Sequence, residues 1–148
     1  MIEQLRDEEG KVFYEAEYWP DKNILCTKWA GDFMPVEQVK QGAMQMLAAL
    51  KANPVPFCLN DTRNVVGVWD EANDWIAEFW MPEAIKLGLK KFAHVYPEEL
   101  YSRLSAQFMQ QNSEKVADPT VFEVKLFKND QGQATEWLLS FAHLNFAS

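Results

Sequence analysis

The chain has 148 residues, 48% of them hydrophobic, and a formal charge of −8 from 22 acidic against 14 basic side chains. A chain of this size buries roughly 70% of the surface its unfolded form exposes, which is enough for one core without disulfides or a structural metal. The acidic excess is unbroken by any Lys/Arg cluster, so nucleic acid and anionic membrane surfaces, which both need basic contacts, are disfavoured as partners.

One domain over 1–148 is therefore expected, opening with a polar segment over 1–10 that carries Glu3, Asp7, Glu8 and Glu9. That segment has no apolar stretch of signal-peptide length, and no window approaches the roughly 18 apolar residues of a membrane span. The sequence thus reads as cytoplasmic.

In chain order, Val12 to Trp19 and Ile24 to Trp29 read as two strands. Pro20-Asp21-Lys22-Asn23 between them is a turn, because Pro presets φ and Asp or Asn tolerates tight geometry. Pro35 fits the start of a helix in which Val36, Val39, Ala43, Met46, Leu47 and Leu50 recur at helical spacing. Asn53-Pro54 stops it, and Phe57-Cys58-Leu59 is an apolar run that suits a strand covered on both faces.

Asn60-Asp61-Thr62-Arg63-Asn64 reads as a loop, and Asp70 as the N-cap of a second helix. That helix carries Ala72, Trp75, Ile76, Phe79 and Trp80, with Pro82 inside it, so a kink is expected near Glu78. Lys91 to Tyr96 is the next strand, and a third helix runs from about Glu98 through Leu100, Leu104 and Phe108. Val121 to Phe127 alternates as the last strand, and Gln133 to Leu144 closes the chain as a helix. The order ββαβαβαβα predicts an α/β fold: a mostly parallel sheet with an N-terminal antiparallel hairpin.

Several local motifs accompany this order: Asp61-x-Arg63 after the third strand, Trp75 with Trp80-Met81-Pro82, Gly88, Ala93 with Pro97, and Ala134-x-x-Trp137-Leu138. With them, Val12 to Leu144 resembles the STAS-like (SpoIIAA-like, anti-sigma-factor-antagonist) group of small bacterial proteins. The resemblance implies a STAS-like domain acting as a non-enzymatic protein-interaction or regulatory module. In that family a serine at the start of the helix after the third strand is switched by phosphorylation. Thr62 lies near that place, but Arg63-Asn64 stands where the family has small residues, and a hydroxyl beside Asp more often forms a turn.

Candidate site residues fall into two groups. Asp61, Thr62 and Arg63 sit at the carboxyl end of a parallel strand, where open α/β sheets place ligands. The structural reading is that Asp61 caps nearby N–H groups while Arg63 pairs with an acidic neighbour. Trp69, Trp75, Phe79 and Trp80 crowd more aromatic surface into 69–81 than one helix face can bury. Core packing accounts for part of it. The surplus points to a homodimer or protein-partner surface, or to a slot for a small apolar or aromatic ligand between the second helix and the sheet.

Cys26 and Cys58 read as buried thiols, and His94 and His143 as a hydrogen-bonded strand residue and a late-helix residue. The spacing of these four supports no metal site, and no catalytic or cofactor fingerprint occurs, so neither cofactor nor metal is expected.

Overall fold

In the computed structural model, which describes residues 2–143, six strands form one mixed sheet in sequential order. The strands are β1 (Ile2–Arg6), β2 (Val12–Trp19), β3 (Ile24–Asp32), β4 (Phe57–Val66), β5 (Lys91–Tyr96) and β6 (Glu123–Lys128). The first three are antiparallel neighbours, and β3 to β6 run parallel. Asn23, at φ 55°, closes the predicted turn between β2 and β3.

Three stretches differ from the sequence reading. The polar segment over 1–10 contributes β1, an edge strand whose exposed residues pair with β2 through the backbone, so hydropathy carries no trace of it. The stretch Asn60–Asn64, read as a loop, belongs to β4. Asn60 and Thr62 are buried against partners on the neighbouring strands and Asp61 against Arg63, and those hydrogen bonds offset the cost of burying them. The last helix spans Gln131–Leu139; Leu144 lies outside the described residues.

The crossover helices are α1 (Val36–Ala52), α2 (Asp70–Trp75), α3 (Met81–Lys86) and α4 (Leu100–Val116), with α5 (Gln131–Leu139) after β6. Each parallel strand is laid down beside its predecessor in the same direction, so crossovers of one hand put their helices on one face. Accordingly α1 touches α2 and α3, and α4 touches both of these, while α5 folds onto the opposite face against β4, β5 and β6. Strand alternation then divides the core in two. Leu25, Trp29, Cys58, Phe92 and Val124 point to α1–α4, and Ile24, Leu59, Ala93, Val95 and Phe127 point to α5 with Ala134 and Leu138.

Between α2 and α3 the chain forms a π-turn (Ile76–Trp80), and the Met81 N–H bonds the Ile76 carbonyl five residues back. Pro82 is the cause. Its ring would collide with the Glu78 carbonyl in a regular helix, and the wider turn relieves that contact without ending the helix. The expected adjustment at Glu78 takes this form. Downstream, Gly88 at φ 104° closes the helix: the Leu89 N–H reaches Ala84 O and the Gly88 N–H reaches Ile85 O.

The periodicity of α4 also misleads. Its buried face is Ser102, Ser105, Ala106, Met109 and Ser113, while Leu100, Leu104 and Phe108 are exposed. The serines serve the neighbouring chain segment. Ser102 Oγ donates to Val65 O at 2.9 Å, and Ser105 Oγ donates to Asp70 Oδ1 at 2.7 Å while accepting the Trp69 N–H at 3.1 Å. Two small hydroxyls thus let the helix lie close to the 65–70 segment, while Leu100, Leu104 and Phe108 are turned outward.

Two consequences for stability can be measured. Gly42 of α1 lies directly beneath the Trp29 indole, and a Cβ there would overlap the ring. Gly42→Ala gains about 1 kcal/mol in helix propensity but forces overpacking that costs about 1–3 kcal/mol. Urea denaturation should show a net loss; a stabilised variant would mean that Trp29 has room to move. Tyr14 is fully buried against Trp29, and its hydroxyl has no hydrogen-bond partner among the described residues. Tyr14→Phe should therefore raise stability by about 1 kcal/mol, and a loss of similar size would show that the hydroxyl is bonded.

Candidate functional site

A register shift between β3 and β4 sets the geometry of the site. Lys28 pairs with Asp61 and Ala30 with Asn64, so two steps on β3 match three on β4. The extra residue changes which side chains face the helices: Asn60 and Thr62 point inward before it, and Val65 rather than Asn64 does so after it. All three inward residues line one cavity with Trp29 of β3 and His94 of β5. Its other walls come from α1 (Val39, Ala43, Met46), the segment around the π-turn (Trp69, Ile76, Trp80, Met81) and Met109 of α4.

This cavity holds about 70 Å³ of free space. One water needs roughly 10–15 Å³ by the same kind of measure, so the space exceeds an ordinary packing defect. None of the described residues lining it is charged. Trp80 forms one wall at 3% exposure: its indole N–H donates to Ala43 O at 2.7 Å and its ring meets Phe92 edge-on with centroids 5.7 Å apart. The π-turn matters here because it brings Ile76, Trp80 and Met81 to the same side.

Polar groups occupy only the sheet side of the cavity, where they form a connected buried network. Asn60 Oδ1 accepts from Thr27 Oγ1 at 2.6 Å and from Trp29 Nε1 at 2.7 Å. Asn60 Nδ2 lies 3.1 Å from His94 Nδ1, and His94 Nε2 lies 3.4 Å from Thr62 Oγ1. Thr62 Oγ1 donates to Val95 O at 2.8 Å. His94 is 1% exposed, with its ring stacked near Phe92 and tilted against Trp69. Burial, only weakly opposed by the Asp61 charge, pushes its pKa down to about 3, so the imidazole is neutral at physiological pH.

The residues singled out from sequence therefore separate. Thr62, Trp69 and Trp80 line the cavity. Trp75 and Phe79 stack on each other outside it with centroids 5.4 Å apart, and Lys40 lies 5.6 Å above the Trp75 ring. Asp61 and Arg63 do not join them. Arg63 N and Nε both donate to Asp61 Oδ1 at 3.0 Å, and Nη2 donates to Asp61 Oδ2 at 2.8 Å and to Gln131 Oε1 at 2.7 Å. The pair is engaged with itself and with α5, as the structural reading expected, and its hydrogen bond to Asp61 raises the Arg63 pKa.

Asn60, His94 and Trp29 escaped the sequence reading as site residues. The signal was present in parity: Thr27 and Trp29 on β3, Asn60 and Thr62 on β4 and His94 on β5 all take the inward register of their strands. Recognising it requires knowing that 60–64 is a strand. Both thiols are buried, Cys58 toward α1–α4 and Cys26 toward α5. Burial raises both, Cys26 to about 12, which keeps them protonated. Among the described residues no group of His, Cys, Asp and Glu could hold a metal ion, and no helix is long and apolar enough to cross a membrane. In comparisons with known proteins, no family model, no curated protein and no solved structure matches this chain.

Proposed function

We propose that this protein binds a small apolar molecule in the cavity between the sheet and the helix that contains the π-turn. One observation carries the reading: a space larger than several waters, walled by Trp, Met and Phe side chains, ends at a buried polar cluster. Ligand pockets combine these features, a mostly apolar lining with a few convergent polar groups. Met34, Met46, Met81 and Met109 line the space, and unbranched thioether chains adapt their shape to an occupant. Catalysis finds little support here, since His94 is held neutral, no second titratable group joins it among the described lining residues, and the Thr62 hydroxyl beside it already gives its proton to Val95 O.

Binding to the folded state alone stabilises it by mass action, by about 2.7 kcal/mol at a ligand concentration a hundredfold above Kd. For a domain of this size that is a rise of roughly 5–10 °C in melting temperature. Single-ring hydrocarbons near their solubility limit should produce a saturable rise, and native mass spectrometry of freshly purified protein should detect a released small molecule. A melting temperature indifferent to every such compound, with a bare mass, would remove the proposal.

A second reading, the protein-interaction module of STAS-like type, is favoured by the outward face of α4. Leu100, Tyr101, Leu104 and Phe108 are all exposed there. The sequential parallel order β3 to β6 behind an antiparallel hairpin supports the STAS-like assignment. In its simplest form the module is a homodimer. Light scattering should then give a mass near twice that of the chain for the wild type and a monomer for Leu104→Glu; a wild-type monomer at high concentration would count against the dimer.

A further inference from the structure

We infer that the cavity selects an uncharged ligand bearing one hydrogen-bond acceptor, a carbonyl oxygen foremost, and that His94 Nε2–H is the group that reads it. This rests on the ligand-binding reading and specifies its chemistry. Trp29 sets the polarity of the network, because an indole N–H can only donate. The Asn60 atom 2.7 Å from Trp29 Nε1 is therefore the amide oxygen, which fixes the orientation of the amide and directs its NH₂ at His94 Nδ1. An amide NH₂ has no lone pair to offer, so Nδ1 must be the accepting nitrogen. The proton of the neutral ring accordingly sits on Nε2.

That N–H is poorly served within the protein. The nearest acceptor, Thr62 Oγ1, is 3.4 Å away, beyond the 2.7–3.2 Å of a good N–H···O bond. The Thr62 hydroxyl gives its own proton to Val95 O and so offers the cavity lone pairs only. His94 and Thr62 both line the space, and the Phe92 and Trp69 rings hold the imidazole in place. A ligand oxygen would satisfy a buried donor that the fold leaves weakly bonded, while the rest of the ligand meets Trp80, Met81 and Phe92. A carboxylate is disfavoured because no cation among the described lining residues would offset its desolvation.

Acetophenone and ethylbenzene, which differ by a carbonyl in place of a methylene, test this with the 148-residue chain labelled with ¹⁵N at histidine. In the free protein, long-range ¹H–¹⁵N spectra should show the His94 proton on Nε2; a proton on Nδ1 would overturn the inference. Titration with acetophenone should move Hε2 downfield and slow its exchange with water, whereas ethylbenzene should fill the cavity without either change. The preference for acetophenone, measured as a ratio of Kd values, should fall about tenfold in His94→Asn, which keeps an acceptor for Asn60 and lacks the Nε2 donor. If both compounds bind with the same Hε2 response, the acceptor requirement is wrong and the cavity reading stands. If neither perturbs the signals of the lining residues, the cavity reading fails and takes the inference with it.

Discussion

Acid should weaken this fold as soon as the pH drops below about 6.5, and removing His94 should abolish most of that sensitivity. In the unfolded chain His94 titrates near 6.5, whereas in the folded protein burial lowers its pKa to about 3. Between these values the unfolded state holds more protons than the folded one, so stability falls with falling pH. The contribution is complete above the unfolded value and is lost as the pH descends toward the folded one. At 1.36 kcal/mol per unit, wild-type protein should lose about 2–3 kcal/mol through His94 between pH 6.5 and 4.5. Urea denaturation at both values, compared with His94→Asn, isolates the effect, because the variant shares every carboxylate. Equal losses in the two proteins would mean that His94 is not held neutral.

Asn60→Ala should cost about 3–5 kcal/mol, a large part of the 5–15 kcal/mol that holds a typical domain together. Its amide serves three partners at once: the Thr27 hydroxyl, the Trp29 indole and the His94 ring. Truncation leaves two donors and one acceptor buried without it, at about 1–3 kcal/mol each. Thr27 can recover part of its share from Leu59 O, already 3.5 Å away, so the three losses do not simply add. Asn60→Leu fills similar volume and should lose nearly as much, which separates hydrogen bonding from cavity formation. A loss below 1 kcal/mol in either variant would show that the network carries little of the stability.

The elements whose apolar residues face the core were legible in the sequence. The β2–β3 hairpin, α1 and β5 lie where alternation or helical spacing places them. Failures came where polar groups are buried or apolar groups exposed. In β4, Asn60 and Thr62 look like loop residues because their partners, Trp29 and His94, are 31 and 32 positions away. In α4 the true inner face is marked by serines, of which Ser102 and Ser105 bond to 65–70, while Leu100, Leu104 and Phe108 mimic a core stripe.

The candidate site divides along the same line. Trp69 and Trp80 were found through their bulk, and the Asp61–Arg63 pair through its charge. The pair proved to be occupied on the α5 side of the sheet. Asn60 and His94 have neither bulk nor net charge. Only the strand register, which sets Asn60 between Thr27 and His94 on the inward face, brings them under the π-turn.

The cavity itself is tested most directly by a crystal structure determined under xenon pressure, since xenon enters dry apolar cavities and scatters strongly. A xenon atom is expected in van der Waals contact with Trp80, Met81 and Phe92, on the side of the space away from Asn60 and His94. Side chains closed on one another with no xenon there, or a file of ordered waters through the same volume, would contradict it.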